Sequence, residues 1–170
     1  MPERALCSQR VQAQFPGAVL ATHQFCGDDT VTVRPEALRE VAQFLRDDPA
    51  CACAMLMDAT AVDYLRYPER QGPPGPAARF ELVYHLYSLE HNQRVRVKVP
   101  VTVDAPQVES LTGVWPAANW FEREIWDMFG IRFSGHPNLK RLLMYEEFDG
   151  HPLRKDYPVN KRQPLVGPVN

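Results

Sequence analysis

Glu122 and Glu124 flank Arg123 in the run Trp120-Phe121-Glu122-Arg123-Glu124-Ile125-Trp126-Asp127-Met128-Phe129-Gly130, and paired carboxylates are common equipment for general acid–base chemistry. Two other groups could take part in a reaction. His136 and His151 each sit in a Gly-His-Pro tripeptide, and an imidazole changes charge near neutral pH. Cys51-Ala52-Cys53 would put two thiols on one face of an extended segment, which is the beginning of a metal site.

Each of these has a plainer structural reading. Adjacent carboxylates on a helix point in different directions, and Arg123 lies between them. A structural ion network is therefore expected, with Arg123 and Asp127 as an i, i+4 pair. Neither histidine has a helical i+4 histidine partner, so each Gly-His-Pro is read as a turn whose imidazole satisfies nearby backbone. Zinc and iron–sulfur sites usually take four ligands from C-x-x-C pairs, and Cys7 and Cys26 make poor second pairs. Buried apolar thiols are expected instead. Trp115, Trp120 and Trp126 read as core or interface anchors. Arg154-Lys155-Asp156 could grip a carboxylate on a partner or simply stay solvated. The chain has no G-x-G-x-x-G, no G-x-x-x-x-G-K-[ST] and no G-x-S-x-G. Dinucleotide, P-loop and hydrolase-elbow chemistry therefore lack support.

The elements that must position these groups are legible in part. Residues 2–15 read as a short helix stopped by Pro16-Gly17. Ala18 to Phe25 and Thr30 to Val33 read as strands joined by a turn over residues 26–29. A helix follows from Arg34-Pro35-Glu36 to Asp47, with Leu38, Val41, Ala42 and Leu45 at helical spacing. Cys51 to Leu65 is largely apolar and is expected to be a central strand. Residues 67–78 hold four prolines and two glycines and read as a loop. In 80–86 and 94–99 apolar residues alternate with polar ones, as in strands with one face on the core and one in water. Gln107 to Leu111 is expected to be a short helical piece, and 117–129 a helix capped by Gly130.

These elements define the fold class as α+β. It is a two-layer sandwich of a mostly antiparallel mixed sheet, with consecutive strands and helices on one face, plus an extended C-terminal arm. The expected organisation is a core over residues 1–129 and a partner-docking arm over 130–170. The arm shows no helical or strand period, so its order is expected to come from another protein's surface. Charge agrees: residues 1–129 carry 12 Lys/Arg against 17 Asp/Glu, and residues 130–170 carry 7 against 4. A basic arm on an acidic body suits an acidic protein surface or anionic lipid heads, and also suits a tail kept soluble by its cations.

The remaining composition sets limits. With 170 residues, 45% hydrophobic and 24% charged, the chain can close one core. A net charge of -2 argues against a general nucleic-acid binder. No apolar run approaches the roughly 20 residues of a spanning helix. Neither a secretory signal nor a mitochondrial presequence is expected, which suggests a cytosolic protein held at a membrane by others.

The run from Glu122 to Ile131, then Gly135-His136-Pro137, then Gly150-His151-Pro152-Leu153-Arg154-Lys155-Asp156-Tyr157-Pro158, together strongly resemble the C-subunit family of respiratory complex I. That enzyme is the proton-translocating NADH:quinone oxidoreductase. Asp58 to Tyr64, Tyr84 to Ser88 and Trp115 to Glu124 are similar to it as well, so the likeness spans about residues 18–160. Asn138 and Lys140 stand where the family often has an acidic residue and an arginine.

The resemblance implies a non-redox structural subunit of the peripheral arm, on the cytoplasmic side of a bacterial inner membrane. It implies homologues of the D and B subunits as partners and no catalytic residues here, while the sequence itself shows no D-type domain, so a fused form is not expected. It implies no cofactor in this chain, with FMN and iron–sulfur clusters in partner subunits. The residues it implies at the partner interface are Glu122, Arg123, Glu124, Asp127, His136, His151, Arg154, Lys155, Asp156 and Tyr157. The alternative it leaves is the equivalent subunit of a membrane-bound hydrogenase or related respiratory dehydrogenase.

Overall fold

The computed structural model describes residues 6–67 and 78–163. The first residues of the expected N-terminal helix, most of the loop 67–78 and the end of the arm lie outside these. Helix α1 (Cys7–Gln14) leads into strands β1 (Val19–Phe25) and β2 (Asp28–Val33). A 3-10 turn over Pro35–Ala37 opens helix α2 (Leu38–Asp47), followed by β3 (Met55–Asp63), β4 (Phe80–Ser88) and β5 (Gln93–Val101). Then come β6 (Gln107–Glu109), α3 (Ala118–Phe129) and β7 (Arg132–Ser134).

The main sheet has the order β1-β2-β5-β4-β3, antiparallel throughout except where β2 meets β5 in parallel. The α+β class with a mostly antiparallel mixed sheet holds. Three local expectations do not. The strands are not neighbours in strict sequence order, because β5 inserts between β2 and β4. The strand within 51–65 lies at an edge, not in the centre, and exposes Met55, Met57 and Val62 while burying Leu56, Ala59 and Ala61. Apolar residues on both faces mimic a central strand, but only one face of β3 is covered. Gln107 to Glu109 is extended, because it pairs in parallel with β7, a partner 25 residues away that no local pattern can reveal.

The β1–β2 turn is also tighter than expected. Cys26 and Gly27 alone form it, with φ of 50° and 85°, the two positive values of a primed hairpin turn. The β4–β5 hairpin keeps its predicted apolar face, but the face of β4 expected in water is largely covered, with Glu81 and Val83 buried as well. Phe80, Leu82, Tyr84 and Leu86 face Val95, Val97, Val99 and Val101 on the buried side. Helices α1, α2 and α3 supply the rest of that core through Val11, Leu38, Val41, Leu45, Ile125 and Met128. Trp115 joins it, its indole N–H donating to Cys53 O at 3.1 Å.

Candidate docking surface on helix α3 and the C-terminal segment

Helix α3 ends at Gly130, whose φ of 75° is left-handed and whose N–H reaches Trp126 O. The acidic residues of this helix split sharply. Glu124 is exposed, whereas Glu122 and Asp127 are fully buried. The expected ion network around Arg123 is therefore not formed.

Glu122 accepts the Ser110 hydroxyl and the Leu111 N–H, both at 2.6 Å. No cation pairs with it among the described residues. Burial pushes its pKa up to about 7, against the two donors that favour the charged form. The neighbouring Tyr84 phenol is buried without a hydrogen-bond partner among the described residues, and burial followed by the Glu122 charge raises its pKa well above the ordinary value.

Asp127 does not meet Arg123. Its Oδ2 accepts the N–H groups of Leu142, Leu143 and Met144 at 3.0, 2.8 and 2.9 Å, and Oδ1 takes the Arg141 guanidinium at 2.6 Å. Burial opposes ionisation, yet the Met144 N–H, Arg141 and the other two amides outweigh it and hold the pKa below its ordinary value. Arg141 donates onward to Phe148 O at 2.6 Å and Gly150 O at 3.1 Å. Arg123 instead donates to the carbonyls of Lys140 and Arg141 at 3.1 and 3.0 Å, with its guanidinium 5.1 Å from the Trp120 ring. One acid and one arginine of α3 thus hold residues 140–144 along the helix.

The rest of the C-terminal segment is tied down in the same way. His136 accepts the Asn138 N–H on Nδ1 and reaches Asn119 O through Nε2 at 3.1 Å, as the turn reading expects. His151 places Nδ1 2.9 Å from Asp127 O, and burial lowers its pKa. Arg154 donates to Phe129 O and lies over the Phe80 ring at 5.3 Å. The Lys155 N–H donates to Asp63 Oδ2 at 2.8 Å. Asp156 pairs with Arg79, which also pairs with Asp63 at 2.7 Å. Burial resists ionisation of Asp63, but Arg79, the Lys155 N–H and the Leu65 N–H bring its pKa down to about 2. Tyr157 stacks on Phe148 at 5.9 Å and accepts from Gln163.

The expectation that the arm cannot satisfy itself internally is therefore corrected. Its start is apolar and regular after all, since Ile131 and Phe133 are buried in the core and Arg132–Ser134 pairs with β6, whereas beyond residue 140 much of the anchoring is polar backbone held by core side chains, which leaves no periodicity in sequence. The described part of the arm closes no interior of its own, since Leu143, Leu153 and Val159 remain 57%, 47% and 102% exposed. Sequence reasoning missed Arg79, Asp63 and Arg141 as anchors of this segment, because their partners lie 14 to 92 residues away.

The cysteines differ in one respect from expectation. Cys51 and Cys53 are buried free thiols, and Cys7, remote in sequence, packs with both. Among the described residues no three His, Cys, Asp or Glu side chains are placed to hold a metal ion. No helix among them is long and apolar enough to cross a membrane.

A mixed sheet with helices on one face, closed by a polar-anchored C-terminal segment, defines the class of protein. Residues 31–163 match the family described as respiratory-chain NADH dehydrogenase, 30 Kd subunit. The chain belongs to this family. It is 47% identical over 161 residues to the C subunit of NADH-quinone oxidoreductase from Roseiflexus sp. (strain RS-1), covering 95% of this chain and 87% of that one. It is 50% identical over 148 residues to the same-named subunit from Rhodobacter capsulatus, covering 87% and 69%. The solved structure "Nqo5 of the trypsin-resistant fragment (1-134)" superposes with a TM-score of 0.64 at 32% identity, over 79% of this chain and all of the other. A chain of the membrane-bound sulfane sulfur reductase, an archaeal respiratory membrane complex, gives a TM-score of 0.70 over 89% and 84% at 21% identity, a likeness of fold. The sequence relatives are thus parts of NADH-quinone oxidoreductase, a multi-subunit oxidoreductase, and the fold recurs in a second respiratory membrane complex.

Proposed function

We propose that this chain is a non-redox structural subunit of the peripheral arm of a proton-translocating NADH:quinone oxidoreductase. It supports electron transfer from NADH to quinone, coupled to proton pumping, by holding cofactor-bearing neighbours in place. The observation that carries this reading is the Asp127 nest. A buried carboxylate takes three successive amides and an arginine, giving residues 141–144 a fixed course with Leu143 facing outward. Rigid presentation of an irregular segment serves docking, where ordering costs weaken a flexible binder.

In this reading residues 1–129 form the core and 130–170 the docking arm. Homologues of the D and B subunits are its partners, on the cytoplasmic side of a bacterial inner membrane. FMN and iron–sulfur clusters sit in partner subunits, and this chain contributes no catalytic residue. The interface set expected from sequence is narrowed, because Glu122 and Asp127 are buried and act from beneath the surface. Glu124, Lys155, Asp156 and the outward parts of Arg123, His136, His151, Arg154 and Tyr157 remain available to a partner.

The test is affinity isolation of the tagged chain from native membranes, with identification of the attached subunits and assay of NADH:quinone activity. Recovery with flavin- and cluster-bearing subunits and that activity is the expected result. Recovery with hydrogenase subunits and no NADH oxidation would establish the alternative, and recovery alone would end both.

A further inference from the structure

Trp120 is 60% exposed, yet it is not loose. The Arg123 guanidinium sits 5.1 Å from its ring centroid, and that guanidinium is itself fixed by the carbonyls of Lys140 and Arg141. The ring is thus braced on a helix by a cation that has no carboxylate to satisfy among the described residues. A pre-positioned aromatic loses little freedom on binding, which is why tryptophan dominates the energetic centres of protein interfaces.

Its surroundings define what it would meet. Lys140, exposed, leaves the backbone at the carbonyl that Arg123 holds, and it too has no carboxylate partner among the described residues. The segment runs on beside α3 to Leu143, 57% exposed, whose N–H is bound by Asp127. Asp127 is seven residues beyond Trp120, about 10 Å of helix rise. Trp120 and Leu143 therefore bracket a strip that holds the carbonyl-bound Arg123 and the backbone of Lys140, with the exposed Glu124 one helical turn from Trp120. Two apolar anchors with two cations against one exposed carboxylate complement an extended segment that has apolar side chains and carboxylates.

We infer that this strip, centred on Trp120 and bounded by Lys140 and Leu143, is the docking site for an acidic segment of a neighbouring subunit. The inference rests on the subunit reading above and names the surface that reading requires. Trp120 acts as the apolar anchor, Lys140 selects for acidic residues, and Arg123 positions the ring.

The full-length chain carrying Trp120→Ala is expressed in place of the wild type, and its amount per complex is measured after extraction from membranes. Retention is expected to fall about tenfold, with thermal unfolding of the isolated chain unchanged because the ring is exposed. Lys140→Glu is expected to reduce retention, and Lys140→Arg to preserve it. A photo-crosslinking phenylalanine derivative at position 120 is expected to join an acidic peptide of another subunit. Wild-type retention of both the Trp120→Ala and Lys140→Glu chains overturns the inference alone. So do crosslinks made only to a second copy of this chain or to lipid. Absence of the wild-type chain from the complex overturns the subunit reading and this inference with it.

Discussion

At the scale of single residues, burial raises the pKa of two carboxyls on α3 and the adjacent β3, yet their net shifts are opposite because their donors differ. Glu122 receives two neutral donors and no cation, so its pKa rises to about 7. Asp63 receives a paired arginine and two amides, so its pKa falls to about 2. The consequences for stability have opposite signs. For Glu122 the folded state holds its proton more tightly than the unfolded chain, so stability declines as pH rises from the unfolded value toward about 7. For Asp63 the stabilisation is full above the unfolded value and is lost as pH falls toward about 2, a change of about 2 kcal/mol. Glu122→Gln should flatten the upper window and leave the lower one intact, as read by urea unfolding across pH. Gln can still accept from Leu111 and donate to Ser110, so a collapse of the fold at every pH would refute this account.

Asp127 belongs to the same scale but has a larger effect. The sequence suggests an Arg123–Asp127 pair, worth about 0.2–0.5 kcal/mol on a helix surface. The structure commits Asp127 to three amides and Arg141, interactions worth about 1 kcal/mol each or more when charge-assisted and buried. That difference explains which partner wins. Asp127→Asn leaves Arg141 largely buried without its counter-charge and should cost about 3 kcal/mol by chemical denaturation. A loss within a few tenths of a kcal/mol would show that the nest contributes little.

Among the elements, the end of α3 is the hinge on which the C-terminal segment is seated. Gly130 combines a φ of 75° with a position where an added Cβ would come within 2.5 Å of His151 Nε2 and 2.6 Å of an Arg154 nitrogen. Gly130→Ala therefore meets both backbone strain and a clash, with a cost of at least about 1 kcal/mol. His151 and Arg154 should be displaced before the core is, so limited proteolysis should cut the chain between 145 and 160 faster than in the wild type while the sheet stays protected. Equal cleavage rates would mean that the segment is held elsewhere. The cap itself was legible, since a glycine closing an apolar-periodic run is a strong stop signal. Its second role, making room for His151, was not.

For the whole molecule, the proposed reading makes the helix-backed sheet and its polar-anchored segment a scaffold without a redox centre of its own. The isolated full-length chain should show no visible absorption band and no bound iron or zinc by elemental analysis, even when refolded with iron and sulfide present. A brown protein with stoichiometric iron would defeat the non-redox reading and return attention to Cys7, Cys51 and Cys53.

What the sequence determined by itself was whatever depends on near neighbours: the alternation of β4 and β5, the helical spacing in α2 and α3, the Gly130 stop, and the motif string that marks the family. Each is set by interactions within a few residues, which pattern and propensity record directly. Tertiary structure alone decided that β3 lies at an edge, that Gln107–Glu109 pairs with β7, that Cys7 joins the other two buried thiols, and that Asp127 chooses Arg141 over Arg123. In each case several chemically equivalent partners were on offer. The choice among them followed from where the folded chain brings distant segments together, and from the much larger stabilisation gained by satisfying a polar group once it is out of water.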